Sequence, residues 1–281
     1  MNTSQKVIVD TIREKVADRR SFVKKMGMAS AGLAAFLGTV ETADAQVTDV
    51  DILQFALNLE YLEAEFYTMA RMGKSIAEMG IGITGSGTTG ATTGGKQVTF
   101  IEGSTLARSA DEIGADERAH VQLLRGALTA AGVSPVAKPA INLNALGIGF
   151  GSQEEFIALA RAFEDVGVTA YGAAAPLISS KAYLATAARI LAAEAEHTGN
   201  LRLHAALYNV KTTALDPVDI LPPPSGSRFN SLDATGLTAV RTPGQVLYIV
   251  YGGTAGAKSG AFFPSGMNGN LNTADATPAK P

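Results

Sequence analysis

Two short runs in this chain place a carboxylate three residues before an imidazole: Glu117-Arg-Ala-His120 and Glu194-Ala-Glu-His197. On a helix, residues three apart share a face, so each run can grip one cation through an oxygen and a nitrogen. The chain has only three histidines, and two of them sit in this frame. Two other segments carry a second pattern, Glu60 followed seven residues later by Tyr67, and Glu164 followed seven later by Tyr171. Seven residues are nearly two helical turns, so each Glu looks out from the same stripe as its Tyr. In chain order the patterns read Glu-x6-Tyr then Glu-x-x-His, twice over, which is an internal repeat.

Four carboxylates and two neutral imidazoles balance two divalent ions. Bundles of four helices build such sites from one Glu on each of two helices and a Glu-x-x-His on each of the other two. Burying the carboxylates with no cation would cost roughly several kcal/mol per uncompensated charge. The candidate metal ligands are therefore Glu60, Glu117, His120, Glu164, Glu194 and His197. The expected cofactor is two metal ions, Fe or Mn, because a carboxylate-rich, imidazole-poor set suits these better than copper or zinc. Glu63, one turn beyond Glu60, reads either as an extra ligand or as a neighbouring acid. Tyr67 and Tyr171 are expected to hydrogen-bond to ligand carboxylates across the bundle. His204, seven after His197, is expected to support the ligands or to fill the core. No residue is singled out as catalytic.

The elements that must position these groups are helices. Ile52, Phe55, Ala56, Leu59, Leu62, Phe66 and Met69 recur at steps of three and four and predict a helix from Val50 to Gly73, capped by Asp49 or Asp51. A second is predicted from Ser104 to Ala131, stopped by Gly132 and Pro135. A third starts at Ser152, where Ser152-Gln-Glu-Glu155 offers a capping box, and is kinked or closed by Pro176 near Ile178. The fourth runs from Lys181 to Asn209. The predicted fold is all-α, a four-helix bundle with a long crossover, Gly132 to Gly151, between helices two and three. Gly80 to Gly95 reads as a flexible excursion without core-forming residues. Its Gly80-Ile-Gly82-x-x-Gly85 and Gly90 to Lys96 stretches imitate nucleotide-binding loops, but no βαβ context surrounds them.

Residues 1–45 read as an address: Arg19-Arg20-Ser-Phe-Val-Lys24 fits a twin-arginine export signal, an apolar run spans Met26 to Val40, and Ala43-Asp-Ala45 offers a cleavage site. Residues 46–210 are expected to form the bundle. Residues 211–281, with Pro217, Pro222, Pro223 and Pro224, form an extension with one short helix from Thr242 to Tyr251. This tail is expected to pack on the bundle or on a neighbouring copy, so a homo-oligomer is among the expected assemblies. A net charge of −3 argues against nucleic acid as a partner. The absence of cysteine excludes disulfides, thiolate metal sites and cysteine nucleophiles. No run after the signal is long enough to span a membrane, and the expected location is periplasmic or secreted.

The stretch Asp51-Ile-Leu-Gln-Phe-Ala-Leu-Asn-Leu-Glu60-Tyr-Leu-Glu63-Ala-Glu65-Phe-Tyr67 resembles the first helix of the ferritin-like proteins called desiccation-related. Arg241-Thr-Pro-Gly-Gln-Val-Leu-Tyr-Ile-Val-Tyr251-Gly, Gly260-Ala-Phe-Phe-Pro264 and Asn268-Gly269 resemble their C-terminal signature, so the similarity spans Val50 to Gly269. In bacterioferritins and rubrerythrins, which are similar in the first helix, the ligand there is the Glu seven before a Tyr. The resemblance thus implies Glu60 and Glu164 as ligands, Glu117 and Glu194 as bridging ligands, and His120 and His197 as terminal ones. Two adjacent redox ions can exchange electrons in pairs with O2 or H2O2, so redox chemistry on these oxidants is the expected function, with catalase-like, peroxidase-like and metal-oxidising reactions all fitting. A non-catalytic, stress-protective metal-binding protein is the alternative.

Overall fold

A computed structural model describes residues 47–279; the export signal expected at residues 1–45 lies outside them. The chain forms a bundle of four long helices: α1 (Asp49–Met72), α2 (Thr105–Ala130), α3 (Gln153–Ala174) and α4 (Lys181–Leu207). A short α5 (Pro243–Val250) follows in the C-terminal extension. Two-residue strands β1 (Thr92–Thr93) and β2 (Ile141–Asn142) pair in parallel. The dominant helix contacts are α1 with α2 and α3 with α4, so each copy of the sequence repeat is one helix pair. Among the described residues no helix is long and apolar enough to cross a membrane.

The helix ends show how local sequence starts and stops each element. Neither Asp49 nor Asp51 is the N-cap of α1. That position is Thr48, whose hydroxyl accepts from Asp51 N–H while the Asp51 carboxylate accepts from Thr48 N–H. Asp49 instead accepts from the Ser179 and Ser180 amides at the start of α4. Ser152 caps α3, but the expected box is only half made: Glu155 turns back to the Gly149 and Gly151 amides. Pro176 closes α3 inside a 3-10 turn, Ala175–Leu177, where its missing N–H costs nothing.

Helix α1 is the axis of the molecule, buried on every face from Ile52 to Thr68. One stripe faces the bundle core. Another, Gln54, Asn58, Tyr61 and Glu65, follows helical spacing on polar residues and fastens the loops. Gln54 pairs with Ser134 O and Val136 N, and Asn58 pairs with the backbone N–H and C=O of Asn268. Tyr61 donates to Val136 O, and Glu65 accepts from Ile76 N. Each bond satisfies a backbone group that burial would otherwise orphan.

The stretch Gly80 to Gly95 is not a free excursion. Ile81 is buried, Ser86 bridges to Val136, and β1 pairs with β2 in the crossover. The buried Lys138 amine donates to Gly90 O and Thr92 Oγ1 and lies 3.5 Å from Glu65 Oε1. Insertion and crossover therefore form one layer over α1. Glycine-rich composition hid this because most of the fastening is done by backbone groups. In the extension, Arg241 donates to Thr169 Oγ1 of α3, and Phe262 meets Phe163 edge to face.

Candidate metal centre

The six candidate ligands come from four helices to one place in the core. Glu60, Glu117, Glu164 and Glu194 have no exposed surface, and His120 and His197 keep 8% and 6%. Their donor atoms form two groups, each within 4.8 Å: Glu60, Glu117, His120 and Glu194, and then Glu117, Glu164, Glu194 and His197. The groups share Glu117 and Glu194, the carboxylates of the two Glu-x-x-His runs.

The arrangement around each imidazole is that of a ligand shell. His120 Nδ1 lies 3.2 Å from Glu60 Oε2, 3.4 Å from Glu117 Oε2 and 3.7 Å from Glu194 Oε1. His197 Nδ1 lies 3.1 Å from both Glu117 Oε1 and Glu164 Oε2. One nitrogen can donate at most one proton, yet several carboxylate oxygens converge on it. Among the described residues, Glu60 Oε2, Glu117 Oε1 and both Glu194 oxygens are buried without any hydrogen bond. Buried oxygens of this kind require a partner, and a cation common to them supplies one. The residues fit a metal.

The tyrosines cross over between the repeats. Tyr67 of α1 donates to Glu164 Oε1 on α3 at 2.6 Å, and Tyr171 of α3 donates to Glu60 Oε1 on α1. Each bond occupies one carboxylate oxygen and leaves the other, Glu164 Oε2 or Glu60 Oε2, facing an imidazole. The His197 Nε2 edge meets Asp116 Oδ2 at 3.2 Å, which orients the ring with Nδ1 inward. Sequence reasoning missed Asp116, although it directly precedes Glu117. The second repeat has Ala193 at the matching place.

Electrostatics follow the crowding. Burial and then the nearby Glu60 and Glu164 carboxylates hold Glu117 well above the usual carboxylate range. Burial, with Glu117 and Glu63 beside it, does the same to Glu194. At Glu60 burial pushes upward too, but His120 outweighs it and the net shift is downward. Burial opposes charge on His197, yet Glu164 and Asp116 raise it to about 9. Burial and neighbouring Glu164 push the Tyr67 phenol well up, as burial and Glu60 do for Tyr171, so both remain donors.

Glu63 belongs to neither group, but it is buried beside them. Burial and the Glu164 and Glu60 charges raise it well above its ordinary value. Its place is set by an asymmetry in the repeat. Three residues after Glu60 stands Glu63, while three after Glu164 stands Gly167. A Cβ on Gly167 would lie 2.4 Å from Glu194 Oε2 and 3.4 Å from Glu63 Oε1, so this glycine makes room for the Glu194 carboxylate and lets Glu63 lie against it in ordinary contact. Gly114 does likewise for Tyr67, whose Cβ would be 2.9 Å from an added methyl. His204 is not at the centre. It is buried near Tyr208, with Nε2 3.5 Å from Ser109 Oγ, and its Nδ1 has no partner among the described residues.

A family model described as the ferritin-like domain matches residues 48–207, and the chain belongs to that family. The matched span begins at the N-cap of α1 and ends at the last residue of α4, so it takes in all six converging side chains. No curated protein matches the chain.

Proposed function

We propose that this protein is an exported dinuclear iron or manganese carboxylate protein that carries out redox chemistry on O2 or H2O2, within the desiccation-related group of ferritin-like proteins. The observation carrying this reading is the pair of four-residue clusters that share Glu117 and Glu194. One ion would be held by Glu60, Glu117, His120 and Glu194, the other by Glu117, Glu164, Glu194 and His197. Two adjacent redox-active ions supply paired electron changes to a small oxidant, chemistry that side chains alone do not offer.

The side chains have distinct tasks. Tyr67 and Tyr171 hold the outer oxygens of Glu164 and Glu60, which fixes the orientation of both carboxylates. Asp116 accepts from His197 Nε2 and keeps Nδ1 turned inward. Glu63, a buried acid outside both clusters, can hold a proton beside the centre. Burial keeps bulk water out. Periplasmic or secreted location is part of the proposal, resting on the Arg19-Arg20 signal.

Elemental analysis of protein exported by its native route, followed by O2 and peroxide turnover, tests the proposal. Two ions per chain and turnover lost in Glu117→Ala and His120→Ala are the expected results. Metal-replete protein with no turnover on either oxidant would sink the redox reading. The near-complete burial of the ligands favours one alternative, a non-catalytic metal-binding protein that uses its ions to stabilise the bundle. In that case chelation lowers the melting temperature while no activity is found.

A further inference from the structure

A cavity of about 330 Å³ opens between the bundle and the C-terminal extension. Its rim includes the exposed residues Leu146, Ala214 and Gly253, and its floor is the buried group Leu59, Glu63, Val166 and Gly167. Apart from Glu63 and the Tyr248 hydroxyl, which lies by Gly253 at the rim, the side chains lining it are aliphatic or aromatic. Glu63 is 5% exposed and makes no hydrogen bond to protein among the described residues. It is therefore an unpartnered carboxyl at the bottom of an apolar shaft. Gly167 on the same floor abuts the Glu194 carboxylate, so the shaft ends beside the metal centre.

We propose that this cavity binds a small apolar organic molecule bearing one terminal hydrogen-bond donor, of the aliphatic alcohol class, with the donor on Glu63 and the chain along the apolar wall. Volume sets the size. A cavity of about 150 Å³ holds one benzene, so this one takes roughly a dozen heavy atoms. Chemistry sets the polarity, because a buried carboxyl keeps an acceptor oxygen whether or not it holds a proton, and that oxygen is best satisfied by a donor that arrives with apolar surface attached. The ligand thereby reaches the centre from the side of α1 and α3, and the inference extends the metal-centre reading by naming what approaches it.

Calorimetric titration of the mature protein with straight-chain alcohols from 1-hexanol to 1-dodecanol tests this. Saturable binding of one molecule per chain is expected, tightening about fourfold per added methylene until the shaft is full. Ala162→Phe, which fills the shaft, and Ala214→Trp, which covers the exposed rim without entering the core, are each expected to weaken 1-octanol at least tenfold. Wild type should prefer 1-octanol to 1-chlorooctane, and Glu63→Leu should abolish that preference while retaining both ligands. No saturable binding, binding indifferent to both blocking variants, or a preference that survives Glu63→Leu would each overturn the proposal. Metal content measured on the same samples separates its failure from failure of the metal-centre reading.

Discussion

At the residue scale, the site depends as much on an absent side chain as on those present. Helix interiors disfavour glycine by roughly 0.5–1 kcal/mol relative to alanine, so Gly167 in the middle of α3 costs stability. Its return is the space for Glu194. Gly167→Ala should leave the chelated protein as stable as before or slightly more so, since only carboxylate tips must move. Metal affinity should fall about 10- to 100-fold because Glu194 is displaced. Equilibrium dialysis with Mn²⁺ and a thermal melt of the chelated variant separate the two effects, and undiminished Mn²⁺ binding contradicts the role given to Gly167. The six converging residues were legible in the sequence because Glu-x-x-His and Glu-x6-Tyr are local patterns. Gly167 and Asp116 were not, because what they contact lies on other helices.

At the element scale, α1 carries two jobs on opposite stripes, and only one showed as a hydrophobic period. Gln54, Asn58, Tyr61 and Glu65 carry polar groups outside that hydrophobic period, and all are buried under loops. Asn268 is the counterpart of this stripe in the extension. Its backbone pairs with Asn58, and its side chain binds Thr88 N–H, Thr88 O and Ala137 O. Asn268→Ala should cost about 1 kcal/mol, the worth of an ordinary hydrogen bond, since of its three side-chain bonds only that to Ala137 O is part-buried. Limited proteolysis should then cut first between Gly80 and Gly95, and a cleavage pattern identical to wild type would argue against this clasp. A second fastening lies on α4. The fully buried Arg202 donates to Asp165 and to the carbonyls of Ile220, Arg228 and Phe229, pinning the extension. Arg202→Met should destabilise by about 3 kcal/mol, the lower end for a broken buried pair, because Arg161 still faces Asp165. Urea denaturation measures it, and a loss below 1 kcal/mol, about the worth of an ordinary hydrogen bond, would remove the claim.

At the scale of the whole molecule, the acidic core links stability to metal and to pH. In chelated protein Glu117 and Glu194 hold protons more tightly than their unfolded value of 4.5. Their folded form is therefore progressively penalised as pH rises above that value. His197 works in the same direction: its contribution is complete below 6.5 and is lost as pH climbs through about 9. Glu60 is shifted the opposite way, and its contribution is lost only as pH falls below 4.5, outside this range. The melting temperature of chelated protein should thus decline steadily from about pH 5 to pH 9. Metal-loaded protein, with the same carboxylates compensated, should change much less. Scanning calorimetry at several pH values checks both curves, and a chelated protein that gains stability toward pH 9 would contradict the assignment.

The sequence alone determined the bundle, the order of its helices and the six side chains that converge, because helical periodicity and the repeat are short-range properties of a chain. Tertiary structure decided the rest. It paired Tyr67 with Glu164 and Tyr171 with Glu60 across the repeat, and it turned a glycine-rich stretch into a fastened layer. It also opened a shaft from the extension to Glu63 and set His204 apart from the centre. Each of these depends on contacts between residues far apart in the chain, where spacing along one helix carries no information about which neighbour a side chain will meet.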